Sequence, residues 1–209
     1  MNLLKSEYSL LKKYNVSRET ILDLYELENL IINKNKEINL ISKETEDDIR
    51  IRHIVDSAQA IDFIDINDEK CTDIGSGGGM PGLVLAVMTK EKKNMLFELY
   101  EKSYHKSNFL KEVSRKLTLN TKIRQKNIFN EKNLESGTVV ARAFKPLPIM
   151  LNLLNNNFLR FKNLVLFMGE NGKKSLNDAY KYWEFEYKIK QSITNNNSFL
   201  VNIKNIKKK

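Results

Sequence analysis

Residues 73–82 read Asp-Ile-Gly-Ser-Gly-Gly-Gly-Met-Pro-Gly, which places five of the chain's eight glycines within ten consecutive positions. The run follows a short apolar stretch that begins at Cys71 and precedes the apolar run Leu83-Val84-Leu85-Ala86-Val87-Met88. That pattern reads as strand, turn, helix. Glycine at such a turn permits positive φ and close approach of a ligand to the backbone. The following helix directs its free N–H groups and positive dipole end at that ligand. Pro81 suits the first helical turn, where a missing N–H costs little.

The rest of the chain alternates in the way that such a turn requires. Short apolar runs at 71–74, 95–100, 122–125, 138–141 and 164–167 predict strands, and the stretches 81–89, 103–119, 147–159 and 173–182 predict helices. Alternation of this kind makes βαβ units and an α/β fold with a mostly parallel sheet. The last two runs, 184–192 and 198–206, are joined by Thr194-Asn195-Asn196-Asn197 and read as a C-terminal antiparallel hairpin on the sheet edge. The first third is helical in texture. Leu3, Leu4, Leu10 and Leu11 mark one stripe. Ile21, Leu22, Leu24, Leu27, Leu30 and Ile31 mark a second, with Ser17 as its N-cap. Ile51, Ile54, Val55, Ala58 and Ile61 predict a third helix over 44–64. Residues 1–65 are thus expected to form a helical extension packed on one structural unit, 66–209.

Composition narrows the function classes. With 209 residues, 41% hydrophobic and 29% charged, the chain reads as globular. No run of about 18 apolar residues occurs, so an ordinary membrane-spanning helix is excluded. The N-terminal segment turns charged too early for a signal peptide, and the expected compartment is the cytoplasm. One cysteine excludes an intramolecular disulfide or a multi-cysteine zinc site. With only two histidines beside it, a protein-held metal is not expected. The net charge of +9 favours a polyanionic partner, against the alternative that a lysine-rich surface only solubilises the chain. No heptad or surplus apolar stripe demands a partner subunit, so a monomer is expected.

The loop's spacing bears on its ligand. Counted from Gly75, a G-x-G-x-x-G dinucleotide fingerprint fails at Met80; counted from Gly77 it matches through Gly82 but starts two residues late. The better register is Asp73-x-Gly75-x-Gly77-x-Gly79. An acid two residues before the first glycine repels a pyrophosphate. It suits a cofactor with an amino-acid end, by accepting from an ammonium or by ordering the loop that does so. S-adenosylmethionine is therefore favoured over NAD. An acid at the end of the second strand can take both ribose hydroxyls of an adenosine. Glu98 and Glu101 compete for that role, and Glu101, which follows Tyr100, is preferred.

Four blocks in order resemble the RsmG family, also called glucose-inhibited division protein B. They are Asn39-Leu40 with Arg52-His53-Ile54-Val55-Asp56-Ser57, the whole run 73–82 with its Met-Pro-Gly ending, Glu101 through Phe109-Leu110-Lys111-Glu112-Val113, and Arg142-Ala143-Phe144-Lys145-Pro146-Leu147. The resemblance implies a Rossmann-like class I methyltransferase fold that uses S-adenosylmethionine to methylate a guanine N7 in small-subunit ribosomal RNA, free or in the 30S particle. It implies cofactor contacts at Gly75, Met80, Ile128, Phe129 and Arg142, beside Asp73, Gly77, Gly79 and Glu101. Two departures stand out. The family has Arg-Ala-Glu where this chain has Asn127-Ile128-Phe129, and Lys-Gly where it has Met168-Gly169, with Lys173 or Lys174 as substitutes for that lysine.

Guanine N7 is an exposed lone pair on the major-groove edge and needs no base to deprotonate it. This agrees with a sequence that has no Ser/His/Asp, Cys/His or paired-carboxylate signature. No catalytic residue is assigned, and Arg142 and His53 are the candidates. Arg52, His53 and Lys145 are the expected contacts to RNA. Two further readings stay open: an RNA-binding, ribosome-associated protein without catalysis, and an NAD-dependent oxidoreductase.

Overall fold

The computed structural model describes residues 8–92 and 94–209. Leu3 and Leu4, half of the first predicted stripe, lie outside the described residues. The other half forms a single short turn, Ser9–Tyr14, that buries Leu11. Helix α1, Arg18–Asn35, starts where Ser17 accepts from the Thr20 N–H at 3.1 Å. Its inward face carries Leu24, Leu27, Glu28 and Ile31 at helical spacing.

The predicted helix 44–64 is a broken series of turns. A 3₁₀ turn, Lys43–Thr45, is followed by a continuous helical segment over 50–63. That segment opens with a widened turn in which the Asp56 N–H reaches back five residues to Ile51 O. Such π-type turns reorient side chains relative to a regular helix and concentrate at functional sites. Here the turn carries Arg52, His53 and Asp56.

The α/β part then runs β1 (Lys70–Ile74), α2 (Gly82–Met88), β2 (Leu96–Tyr100), α3 (Tyr104–Lys116), β3 (Thr121–Arg124), β4 (Leu134–Glu135), β5 (Thr138–Arg142), α4 (Leu147–Asn157), β6 (Phe158–Arg160), β7 (Asn163–Met168), α5 (Gly172–Ala179), β8 (Trp183–Gln191) and β9 (Phe199–Lys208). Seven strands form one sheet in the order β3-β2-β1-β5-β7-β9-β8. β3, β2, β1, β5 and β7 are parallel, and β9 pairs antiparallel with both β7 and β8. This is the α/β architecture and the hairpin that the sequence predicts. β4 and β6 form a separate two-stranded pair. The prediction carried helix 147–159 over Phe158 and Leu159. The helix stops earlier, because Asn157 turns its Nδ2 to donate to Phe129 O and Glu131 O at 3.1 and 2.6 Å, and Phe158 pairs with Leu134 instead.

Parallel strands buried on both faces alternate their contacts. Val140 joins the apolar cluster formed with α1, segment 50–63, α2 and α3, while Val139 joins the opposite cluster with α4 and α5. The chain leaves β1 towards β2 and β3, then returns to the other side through β5 and β7. The strand order therefore reverses between β1 and β5, and the crevice above their C-terminal ends is where open α/β sheets bind ligands.

Candidate cofactor and methyl-transfer site

A cavity of about 630 Å³ opens at that switch point. Its walls come from the loops after β1, β2 and β5 and from the segment around Leu40 and His53. The volume lies within the range of about 300–1,000 Å³ usual for small-molecule sites.

The glycine loop paves one side. Gly75, Gly77 and Gly79 have φ of +72°, +53° and +92°. At Gly77 an added Cβ would meet only Gly75 O, at 3.8 Å, so open space lies before the backbone there. The loop is tied down from beneath. The Gly75 and Ser76 N–H groups donate to Tyr100 O at 2.9 and 3.0 Å.

Glu101 lines the cavity just after β2, as predicted, and its carboxylate braces the loop. Its Oε2 accepts from the Gly77 N–H at 3.0 Å and its Oε1 from the Ser103 N–H at 2.7 Å. Its rival Glu98 points into the sheet face, where Arg124 and Lys70 pair with it at 2.6 and 3.6 Å.

Asp73 takes the loop-ordering role that the sequence reading allowed, from below the cavity wall. Its Oδ2 accepts from the Gly82 N–H at 2.9 Å, at the start of α2. Its Oδ1 is buried with no hydrogen-bond partner among the described residues. Burial of this carboxyl raises its pKa to about 7. The first N–H of α2 is thus already occupied by a carboxylate and is not offered to a ligand.

The loop after β5 forms the facing wall. Arg142 ends β5, and its Nη1 donates to His53 Nδ1 at 3.2 Å while its Nη2 lies 3.2 Å from Asp56 Oδ2 and donates to Arg52 O. His53 Nε2 then holds the ring proton and donates to Thr45 Oγ1 at 2.8 Å. Burial first, then the charges of Arg142 and Arg52, lowers the His53 pKa to about 4, so the ring is neutral at pH 7. Ala143 has a positive φ of 49°, which turns the chain so that Phe144 faces back over Gly75. A Cβ on Gly75 would come within 2.1 Å of that ring. Phe144 stacks on Phe129 with centroids 6.0 Å apart.

Of the residues predicted from sequence, Gly75, Gly77, Met80, Glu101, Ile128, Arg142, His53 and Lys145 line the cavity. Gly79 and Asp73 support it from behind. Phe129 reaches it only through Phe144. The Arg52 side chain is exposed, and its backbone carbonyl is the part that touches the site. Met168 and Gly169 line an adjoining cavity of about 500 Å³ that shares Phe144 and Lys145, while Lys173 and Lys174 lie exposed outside it. Sequence reasoning missed Leu40, Ile41 and Thr45 as wall residues, and Lys102, Lys106 and Lys126 at the rim. The Asn39-Leu40 block was a signal for the first of these. Asn35 Oδ1 accepts from the Leu40 and Ile41 N–H groups at 2.8 and 3.0 Å and presents that turn to the loop.

The residues present fit S-adenosylmethionine. The glycine floor, the acid after β2 and the apolar contacts of Met80 and Ile128 suit an adenosine carrying a cationic amino-acid arm. Fold and site together define a class I S-adenosylmethionine-dependent methyltransferase. The same fold is seen in an S-adenosylmethionine-dependent methyltransferase from Aquifex aeolicus, with a TM-score of 0.54 at 15% identity over 71% of this chain and 88% of that one. The family profile described as GidB, rRNA small subunit methyltransferase G, matches residues 20–201, and the chain belongs to that family. It is 54% identical to the ribosomal RNA small subunit methyltransferase G of Pelagibacter ubique, over 97% of this chain and 96% of the relative. It is 33% identical to that of Dinoroseobacter shibae, over 87% and 93%.

Proposed function

We propose that this methyltransferase transfers the methyl group of S-adenosylmethionine to N7 of a guanine in small-subunit ribosomal RNA, free or in the 30S particle. The observation that carries this reading is the switch-point cavity, with a cofactor floor of Gly75, Gly77 and Glu101 and a rim of Lys102, Lys106, Lys126 and Lys145. The cofactor, when bound, supplies an electrophilic methyl on a positively charged sulfur. The chain's contribution is placement. Glu101 and the glycine loop fix one side of the cavity, while the Arg142–His53–Thr45 chain fixes the other. Alignment and exclusion of water suffice, since N7 loses no proton. His53 fits this chemistry because both ring nitrogens are engaged and neither is offered as a base.

Residues 66–209 are read as the catalytic unit and 1–65 as an extension packed on it. One apolar cluster supports this, joining Leu27, Ile31 and Ile54 with Leu83 and Phe109. We read the enzyme as a cytoplasmic monomer. No helix among the described residues is long and apolar enough to cross a membrane, and the exposed Leu22, Leu159 and Tyr182 lie on α1, on β6 and in the turn before β8. No group of metal-ligating side chains occurs among the described residues.

The test is ribosomal RNA from a strain lacking the gene. Chemical cleavage at 7-methylguanine is expected to lose one small-subunit site, restored by adding the purified enzyme and cofactor to 30S particles or to deproteinised RNA. Retention of every such site in the deletion strain would overturn the reading.

A further inference from the structure

The carboxylate of Asp56 is more fully engaged than a helix-surface acid needs to be. Its Oδ1 accepts from Thr194 Oγ1 at 2.7 Å, Gln59 Nε2 at 3.0 Å and Ser192 Oγ at 3.1 Å. Its Oδ2 faces Arg142 at 3.2 Å. Ser192 and Thr194 lie in the turn between β8 and β9, more than 130 residues away in sequence. Three neutral donors on one oxygen leave the other oxygen, and the charge, directed at the guanidinium. Asp56 and Arg142 are both largely removed from water, with side-chain exposures of 12% and 20%, so their interaction is weakly screened.

We propose that Asp56 is a positioning residue for methyl transfer, which holds Arg142 in the cavity wall and neutralises its charge, with the β8–β9 turn acting as its clamp. The inference rests on the guanine-N7 reading. In that reaction the S–CH₃ bond breaks with its electron pair left on sulfur, and the N7 lone pair forms the new N–CH₃ bond. No proton leaves, so the positive charge moves from sulfur to the base. An uncompensated guanidinium in the same wall would repel the charge arriving on the base. A guanidinium paired with Asp56 keeps its donors in place without that opposition.

The experiment compares wild type, Asp56→Asn, Arg142→Gln and the double variant, read in two ways. Single-turnover and steady-state methyl transfer to 30S particles give kcat and KM. Titration of the His53 ring by NMR, without RNA, gives an independent view of where Arg142 lies. Asp56→Asn is expected to lower kcat about tenfold or more, with KM and S-adenosylhomocysteine affinity changed less than about twofold. It is expected to add almost nothing in the Arg142→Gln background. The His53 titration is expected to move up from about 4 as the guanidinium leaves its Nδ1. An unchanged kcat beside an active wild type, an equal loss in both backgrounds, or an unmoved His53 titration would overturn the proposal. If wild type itself transfers no methyl group, the guanine reading fails, and the His53 titration still decides whether Asp56 positions Arg142. Thr194→Val with Ser192→Ala, which leaves the carboxylate in place, provides a second route should Asp56→Asn fold poorly, with a loss in the same direction expected in kcat.

Discussion

At the scale of single residues, Asp73 and Gly82 are tightly coupled at the base of the loop. A Cβ on Gly82 would lie 2.5 Å from Asp73 Oδ2 and 3.0 Å from the Leu99 side chain. Gly82→Ala therefore overpacks the base of the loop and is expected to cost about 1–3 kcal/mol. That corresponds to a fall in Tm of a few degrees for a chain of this size, measurable by calorimetry. Gly77→Ala meets only Gly75 O, at an ordinary contact distance of 3.8 Å, but keeps the strain of a positive φ and places a methyl where the cavity begins. Its expected signature adds a large loss of S-adenosylhomocysteine affinity to a fall in Tm set by the backbone strain alone, about 1–2 kcal/mol. Asp73 itself sets a pH dependence. Its folded pKa of about 7 lies above the ordinary carboxylate value of 3.8, so the native state holds a proton that the unfolded chain has already released. The stability from that difference is fully present below pH 3.8 and is lost as pH rises through about 7. His53 acts oppositely, since its folded pKa of about 4 lies below 6.5, and its contribution is lost as pH falls through that window. The clean observable is the difference in Tm between wild type and Asp73→Asn, which is expected to shift against wild type from pH 4 to pH 8. A flat difference would show that the Asp73 carboxyl titrates normally.

Between elements, the docking of α1 combines its apolar face with one buried charge. Glu28 sits on the apolar face of the helix and accepts from Arg50 at 2.7 and 2.8 Å and from the Tyr8 hydroxyl at 3.0 Å. Glu28→Ala leaves Arg50 half-buried without that carboxylate and is expected to cost about 3 kcal/mol or more. Calorimetry and hydrogen exchange over 18–35 check this, and S-adenosylhomocysteine affinity is expected to hold, because Glu28 lies away from the cavity. The same helix shows what periodicity can reveal. Its apolar stripe and Ser17 cap are local signals, as are the five parallel strands and the hairpin, because each is encoded within a few residues. The glycine loop and Glu101 were legible for the same reason: a strand end, a turn and a helix start are consecutive. Other features depend on partners far along the chain. The widened turn at 50–56 is shaped by what Arg142 must reach, and β6 by the hold of Asn157 on the carbonyls after β3. The resemblance drew attention to Arg52, His53, Asp56 and Arg142, but no spacing in the sequence shows that a backbone carbonyl, a ring nitrogen and a carboxylate converge on one guanidinium.

The whole molecule carries a net charge of +9, and the structure shows where part of it can act. Lys102, Lys126 and Lys145, on three different loops, and Lys106, in the first turn of α3, rim the cavity. Lys126 is partly neutralised by Glu131 at 2.9 Å, whereas Lys102, Lys106 and Lys145 have no ion pair among the described residues. Some lysines elsewhere are ion-paired, as with Asp23, Glu26 and Asp62, and others are not. On the proposed reading, in which this opening admits one base, three cations with no ion pair among the described residues suit the phosphates on either side of that base. Each phosphate contact releases condensed counterions, so binding to single-stranded RNA falls with salt at a slope of about 0.7 per contact. The triple variant Lys102→Ala, Lys106→Ala and Lys145→Ala is expected to lower the slope of log K against log salt by roughly 2. Its RNA affinity falls most at low salt and converges on wild type as salt rises. Stabilisation by S-adenosylhomocysteine is expected to remain, since these ammonium groups sit at the rim and the proposed cofactor floor is Gly75, Gly77 and Glu101. A triple variant with an unchanged salt slope would place the RNA path elsewhere on the basic surface and leave the cofactor assignment standing.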